Sequence, residues 1–239
     1  MEDYANSESQ NKGSSELIDL TVNISPESRT WPGDKHPEFK QMATLVGDEV
    51  NISRLNMNLH TGTHIDAPSH FVADGATIDE IPLERCHGRA VVYRSPEKPQ
   101  GGVIGLEELK ASGITFNEDD ILIVDSGIRE LRGDDRYYED FPVPSAALLK
   151  WLLTKGIKCY GTDCPSIDPL GSESHENHKL LLRQEIPIVE NLTNLDGLNE
   201  FEELTFSAFP LKLKALEASP CRAVAMTGSE STEVEVMDE

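Results

Sequence analysis

The stretch His60-Thr61-Gly62-Thr63-His64-Ile65-Asp66-Ala67-Pro68-Ser69-His70-Phe71 constrains this chain more than any other, because it gathers three of the seven histidines and one carboxylate. Imidazole nitrogen and carboxylate oxygen are the ligand types that suit zinc, manganese and similar divalent ions. The His60/His64 spacing would put both rings on one face of a helix, as in H-E-x-x-H. Two β-branched threonines, a glycine and the nearby Pro68 disfavour an interior helix. The expectation is therefore a shaped loop after a strand, with Gly62 where backbone passes close to something. A histidine-rich surface loop is the plainer alternative; the density of ligand types favours a metal site.

With 239 residues the chain is long enough to bury a sizeable core as one large domain or two small ones. No apolar run approaches the roughly eighteen residues that a membrane span requires. The start, Met1-Glu2-Asp3-Tyr4-Ala5-Asn6, is acidic and lacks the features of a signal or transit peptide, which makes the cytoplasm the expected location. A formal charge of −22 argues against nucleic acid and anionic membranes as partners. The four cysteines (Cys86, Cys159, Cys164, Cys221) form no C-x-x-C pair and read as thiols.

Residues 1–15 are polar and read as a disordered tail, residues 16–228 as one domain, and residues 229–239 as an acidic tail. Strands are expected at 16–22, 38–46, 50–59, 89–93, 121–127, 157–163, 186–192, 206–214 and 221–226. Within 50–59 the apolar alternation changes phase near Ser53-Arg54, which predicts a bulge, and the strand delivers His60 to the loop. Trp31-Pro32-Gly33-Asp34 is a turn, and Trp31 either caps the core or walls an aromatic pocket. Helices are expected at 105–112, 176–183 and, most clearly, 144–156, which has an early proline and Gly156 as its stop. The charged run 128–140 reads as an exposed excursion. Strands outnumber helices, yet helices lie between them, so the fold class is α/β: one mixed-sheet domain.

A metal held only by His60, His64 and Asp66 keeps an open coordination shell, the arrangement of a catalytic ion. Further ligands must come from elsewhere, and His175, His178 and Glu190 are the candidates. Glu190 interrupts the apolar run Ile186 to Leu192, where an unpaired carboxylate is costly.

The loop resembles the H-x-G-T-H-x-D-x-P-x-H motif of the cyclase-like metal hydrolases, among them bacterial kynurenine formamidases and isatin hydrolases. The resemblance runs from about Leu17 to Met226 and includes the W-P-G-D turn at Trp31, the run Gly161-Thr162-Asp163-Cys164-Pro165-Ser166-Ile167-Asp168, and the stretch from His178 to Leu192. It implies the cyclase-like (swivelling β/β/α) type of α/β domain. It also implies that His60, His64 and Asp66 bind one divalent ion, Zn2+ or Mn2+, and that in two-ion members Asp66 bridges to a second ion held by His178 and Glu190. His70 takes the place of the general acid/base. Trp31, on its own chemistry, is the candidate substrate-binding wall for an aryl group. One departure stands out: formamidases usually carry two adjacent histidines where this chain has His178-Lys179.

The implied activity is metal-dependent hydrolysis of a C–N bond in a small amide or lactam, arylformamidase-like, with N-formylkynurenine as an example and His70 moving the proton. An isatin-hydrolase-like cyclic amide hydrolase is the near alternative. A non-catalytic metal- or ligand-binding protein that kept the fold is the distant one. By resemblance the expected partners are a small-molecule substrate and further copies of the chain, as dimer or tetramer. No G-x-S-x-G elbow, H-E-x-x-H, G-x-G-x-x-G or P-loop supports another enzyme class.

Overall fold

In chain order the elements are β1 (Glu16–Asp19), β2 (Glu38–Ala43), α1 (Leu45–Asp48), β3 (Ile52–Asn56), β4 (His64–Asp66), β5 (His87–Arg94), β6 (Val103–Ile104) and α2 (Leu106–Ala111). Then come β7 (Ile121–Asp125), α3 (Arg136–Glu139), β8 (Val143–Pro144), α4 (Ala146–Lys155), β9 (Cys159–Thr162), α5 (Glu176–Leu182), β10 (Ile188–Glu190), β11 (Leu204–Pro210) and β12 (Ala218–Thr227). The computed structural model describes residues 16–96, 98, 101–198 and 204–227, so the tails expected at 1–15 and 229–239 lie outside the described residues.

The main sheet closes on itself. Its strands run β12, β11, β5, β7, β9, β10, β4 and back to β12, with β1 added along β12. The β5–β7–β9–β10 segment is parallel and every other joint is antiparallel. Successive side chains of a strand face opposite sides, and β7 shows what that demands here. Ile121 and Ile123 enter an inner cluster with Ile65, Val189 and Phe206. Leu122 and Val124 pack outward with Leu148, Leu149, Leu152 and Leu181 of α4 and α5. A strand buried on both faces must read as a continuous apolar run, as Ile121 to Val124 does. The α4 helix starts where the Ser145 hydroxyl accepts from the Leu148 amide at 3.2 Å and stops at Gly156, whose φ of 70° suits a residue without a Cβ.

Several expected strands are shorter than their apolar runs. β1 ends at Asp19 rather than residue 22, β9 covers 159–162, β10 covers 188–190, and Pro187 stands just before its start. The expected strand 38–46 breaks after Ala43, where Thr44 caps the short turn α1. The expected strand 50–59 is reduced to β3, and the irregularity predicted at Ser53-Arg54 lies instead on its partner, between Gln41 and Ala43. The phase change in residues 50–59 therefore does not record a switch of buried face: every residue of β3 is exposed, because β2 and β3 form a separate two-stranded ribbon. Nor does β3 deliver His60 directly, since it ends at Asn56 and a turn intervenes. The loop at 60–71 is not helical at His60-His64; it contains the buried strand β4 and a 3-10 turn at Pro68–His70.

The run 128–140 is exposed only in part: Glu130, Gly133, Asp135, Arg136 and Glu139 face solvent as expected. Ile128, Arg129 and Tyr137 are buried, and Arg129 forms ion pairs with Asp125, Asp163 and Asp196. Arg129 is thus an ionic plug under the end of β7.

Candidate metal centre and active site

β4 sends Ile65 into the inner cluster, which leaves His64 and Asp66 on the other face. β10 does the same with Val189, leaving Glu190, and the antiparallel register sets Glu190 directly across from His64. The third contributor is α5, whose first turn presents His178. The closing of the sheet at β4 thus brings together residues more than a hundred positions apart.

His64 Nε2 lies 3.4 Å from Asp66 Oδ1 and 3.5 Å from Glu190 Oε2. His178 Nε2 lies 3.2 Å from Glu190 Oε1 and 3.6 Å from Asp66 Oδ2. His60 Nδ1 stands 3.0 Å from Asp66 Oδ1. His60, His64 and Asp66 form one compact donor group, and Asp66, His178 and Glu190 a second that shares Asp66. Both imidazoles are oriented from behind: His64 Nδ1 donates to the Gly62 carbonyl at 2.9 Å and His178 Nδ1 to Asp168 Oδ2 at 2.7 Å. Each Nε2 is thereby aimed at the carboxylates, the arrangement that metal-binding histidines need.

The donor set fits divalent cations on a physical test. His64 Nε2 and both Asp66 carboxylate oxygens are buried without a hydrogen-bond partner, a state that costs several kcal/mol unless something positive stands there. Burial alone would raise the Asp66 carboxyl, yet His60, His178 and His64 hold it well below its usual range. Burial alone would lower His178, yet Asp168, Asp66 and Glu190 push it well above its ordinary value. The cluster is built to hold positive charge.

The loop geometry follows from its small residues. Thr63 Oγ1 donates to the Asn191 carbonyl at 2.8 Å and accepts from the Val22 amide at 3.0 Å, tying β4 to the end of β10. Gly62 has φ 70°, and a Cβ there would stand 3.0 Å from Ile24, so the close approach expected from the sequence is to a neighbouring loop.

His70 follows on the 3-10 turn, its ring centroid 4.2 Å from that of His60 and 4.0 Å from that of Phe71. Burial pushes its pKa down to about 4, so at neutral pH it is an uncharged imidazole. It faces a cavity of about 250 Å³ together with His60, His64, His178 and Glu190. Trp31, Phe71, Tyr138 and Asn58 are among the residues of its walls. Trp31 therefore serves both expected roles: it packs on Phe141 and Tyr138 and also walls the pocket. A larger groove of about 460 Å³ lies along β5 beside Arg89 and Arg94; it contains none of this chemistry.

All the expected site residues converge here, with one division. His175 is in the wall, stacked on Phe71 at 4.5 Å, rather than in the two donor groups around Asp66. It also lies close to Asp168 and His178, but Asp168 is already engaged by the amides of Asn177 and His178, both at 3.0 Å, and by His178 Nδ1. Sequence reasoning gave Asp168 no role, because its link to His178 is made by the turn into α5 and leaves no spacing signature. Lys179, in place of a second histidine, bonds the Ser174 carbonyl and does not line the cavity.

Comparison with known proteins shows the family to which the chain belongs. The Cyclase family model matches residues 18–169. Kynurenine formamidase of Bacillus cytotoxicus is 31% identical over 212 residues, 88% of this chain and 97% of the relative. That of Salinibacter ruber is 32% identical over 215 residues, 87% of this chain and 96% of the relative. Isatin hydrolase A from Labrenzia aggregata, solved with benzyl benzoate, has the same fold at a TM-score of 0.79 with 24% identity, covering 90% of this chain and 94% of that one. A family match over more than half of its length and curated relatives above 30% identity place the chain in one family: it belongs to the Cyclase family.

Proposed function

We propose that the protein is a metal-dependent hydrolase that cleaves the C–N bond of a small aryl amide, as an arylformamidase does on substrates such as N-formylkynurenine. The observation that carries this reading is a pair of donor groups sharing Asp66 beside an uncharged His70, all facing one aromatic-walled cavity. His60, His64 and Asp66 would hold one Zn2+ or Mn2+, and Asp66, His178 and Glu190 a second. When bound, such an ion supplies Lewis acidity and lowers the pKa of a water from about 16 to roughly 7.

The chain's own residues do the rest. Trp31, Phe71 and Tyr138 offer faces and edges against which an aryl ring stacks, fixing the amide carbon near the ligand cluster. His70, neutral and able to accept, takes a proton from the attacking water as its oxygen bonds the carbonyl carbon. It returns that proton to the nitrogen as the C–N bond breaks, so a formanilide gives formate and free amine. Close kinship with proteins named kynurenine formamidase supports the acyclic substrate first. A cyclic amide such as isatin is the second reading, supported by the shared fold of the isatin hydrolases. The chain acts on a small molecule as a homo-oligomer in the cytoplasm, and no helix among the described residues is long and apolar enough to cross a membrane.

The test is to strip and restore Zn2+ or Mn2+ and assay N-formylkynurenine and isatin. Turnover that returns with metal and falls at least a hundredfold in His70→Ala is expected. Bound metal without turnover of either amide would overturn the reading.

A further inference from the structure

The cavity has two aromatic ends. At one, Phe71 stands against the ligand cluster, its ring centroid 4.0 Å from that of His70 and 4.7 Å from that of His178. At the other, Trp31 and Tyr138 meet edge to face, with centroids 6.1 Å apart and planes at 88°, and form a corner backed by Phe141. The Tyr138 hydroxyl donates to the Arg29 carbonyl at 3.0 Å, which holds its ring in place. Burial pushes that hydroxyl up to about 12, with the nearby Asp34 carboxylate adding to the rise, so the ring is uncharged.

Asp34 stands at this corner with one oxygen free. Its Oδ2 accepts from Asn58 Nδ2 at 2.9 Å, while among the described residues Oδ1 has no hydrogen-bond partner and the carboxylate no ion pair. No lysine or arginine is among the described residues that line the cavity. Trp31, Asp34 and Tyr138 also line an adjoining groove of about 310 Å³, with Asp135, Glu139 and Arg29, the last paired with Asp135. The approach from that side is therefore acidic, which draws cations and turns anions away.

A carboxylate beside aromatic faces suits an organic ammonium. The negative ring faces attract the cation within about 6 Å, and the carboxylate accepts its protons. We infer that Trp31, Asp34 and Tyr138 form a subsite for an alkylammonium group, so that the preferred substrates are aryl amides with a cationic amine on the side chain. The inference rests on the amidase reading and deepens it. An amine seated at Asp34 directs the aryl ring toward Phe71 and the amide toward the ligand cluster. The amine is also the end that divalent ions at that cluster would repel. N-formylkynurenine carries an ammonium and a carboxylate on its side chain; the corner answers the first, and no lysine or arginine of the described wall answers the second.

Two readouts test this on the metal-loaded protein. In calorimetric titrations 2-phenylethylammonium should bind about tenfold or more tightly than 2-phenylethanol. In turnover the kcat/KM of an ortho-aminoethyl formanilide should exceed that of its hydroxyethyl counterpart by a similar factor, through KM rather than kcat. Asp34→Asn should erase both preferences and Tyr138→Leu reduce them, while Tyr138→Phe, which keeps the ring, and Glu139→Gln, which lies only in the groove, should retain them. Equal binding of amine and alcohol by the wild type, a preference that survives Asp34→Asn, or a loss in that variant shared equally by both substrates overturns the inference. Binding is read without turnover, so the two readings fail separately. Amine-selective binding with no formanilide cleaved would sink the amidase reading, and cleavage without amine selectivity would sink this one.

Discussion

His70 and Asp168 show how neighbours decide what a residue can do. An exposed histidine titrates near 6.5, whereas burial among His60, Phe71 and His178 brings His70 down to about 4. Between those values the unfolded chain holds the proton and the folded chain does not, so stability must fall as pH is lowered through that window. Metal-free wild type is therefore expected to lose stability relative to His70→Asn between about pH 6.5 and 4, measured by urea midpoints. A gain on acidification would mean that His70 is charged in the fold. Asp168 acts through His178: it accepts the Nδ1 proton and two amides of α5. Asp168→Asn should weaken metal binding about 10- to 100-fold in a chelator competition, the usual range for such a supporting partner, while the far-ultraviolet spectrum stays unchanged. Unaltered affinity would make Asp168 merely a helix cap.

At the scale of elements, α4 and β4 make opposite contributions. α4 supports the sheet from outside, with Leu148, Leu149 and Leu152 fully buried against the parallel strands. Leu149→Ala should cost about 2–5 kcal/mol of stability, yet leave metal affinity unchanged, since α4 supplies none of the candidate ligands; a loss of affinity matching the loss of stability would tie the helix to the site. β4 holds three residues yet sets the centre, because its alternation and its register with β10 decide which side chains meet. α4 was legible in the sequence because its cap, its stop and its apolar stripe are local. The His60–His70 loop was legible because its ligand types are concentrated, and Glu190 because a carboxylate is conspicuous in an apolar run. Asp168, the ion pairs of Arg129 and the exposure of β3 were not legible. Each depends on which distant segment lies alongside, and alternation within β3 looks the same whether its apolar face meets a core or water.

For the whole molecule, the proposed metal would couple to the fold. The candidate ligands come from β4 and the residues before it, from α5 and from β10, so ions held by the two donor groups would clamp the strand that closes the ring to the segment carrying His178. The unfolded chain cannot present that constellation, so binding adds directly to folding free energy, about 2.7 kcal/mol at a free metal concentration a hundred times Kd. For a domain of this size that corresponds to a rise of about 5–10 °C in Tm. Calorimetry should show this rise when Zn2+ or Mn2+ is restored to chelator-stripped protein. In Asp66→Asn the rise should vanish, because both groups lose their shared carboxylate charge, and in Glu190→Gln it should shrink, because the group of His60, His64 and Asp66 survives. An equal rise in all three proteins would place the ion elsewhere and separate the fold from its metal.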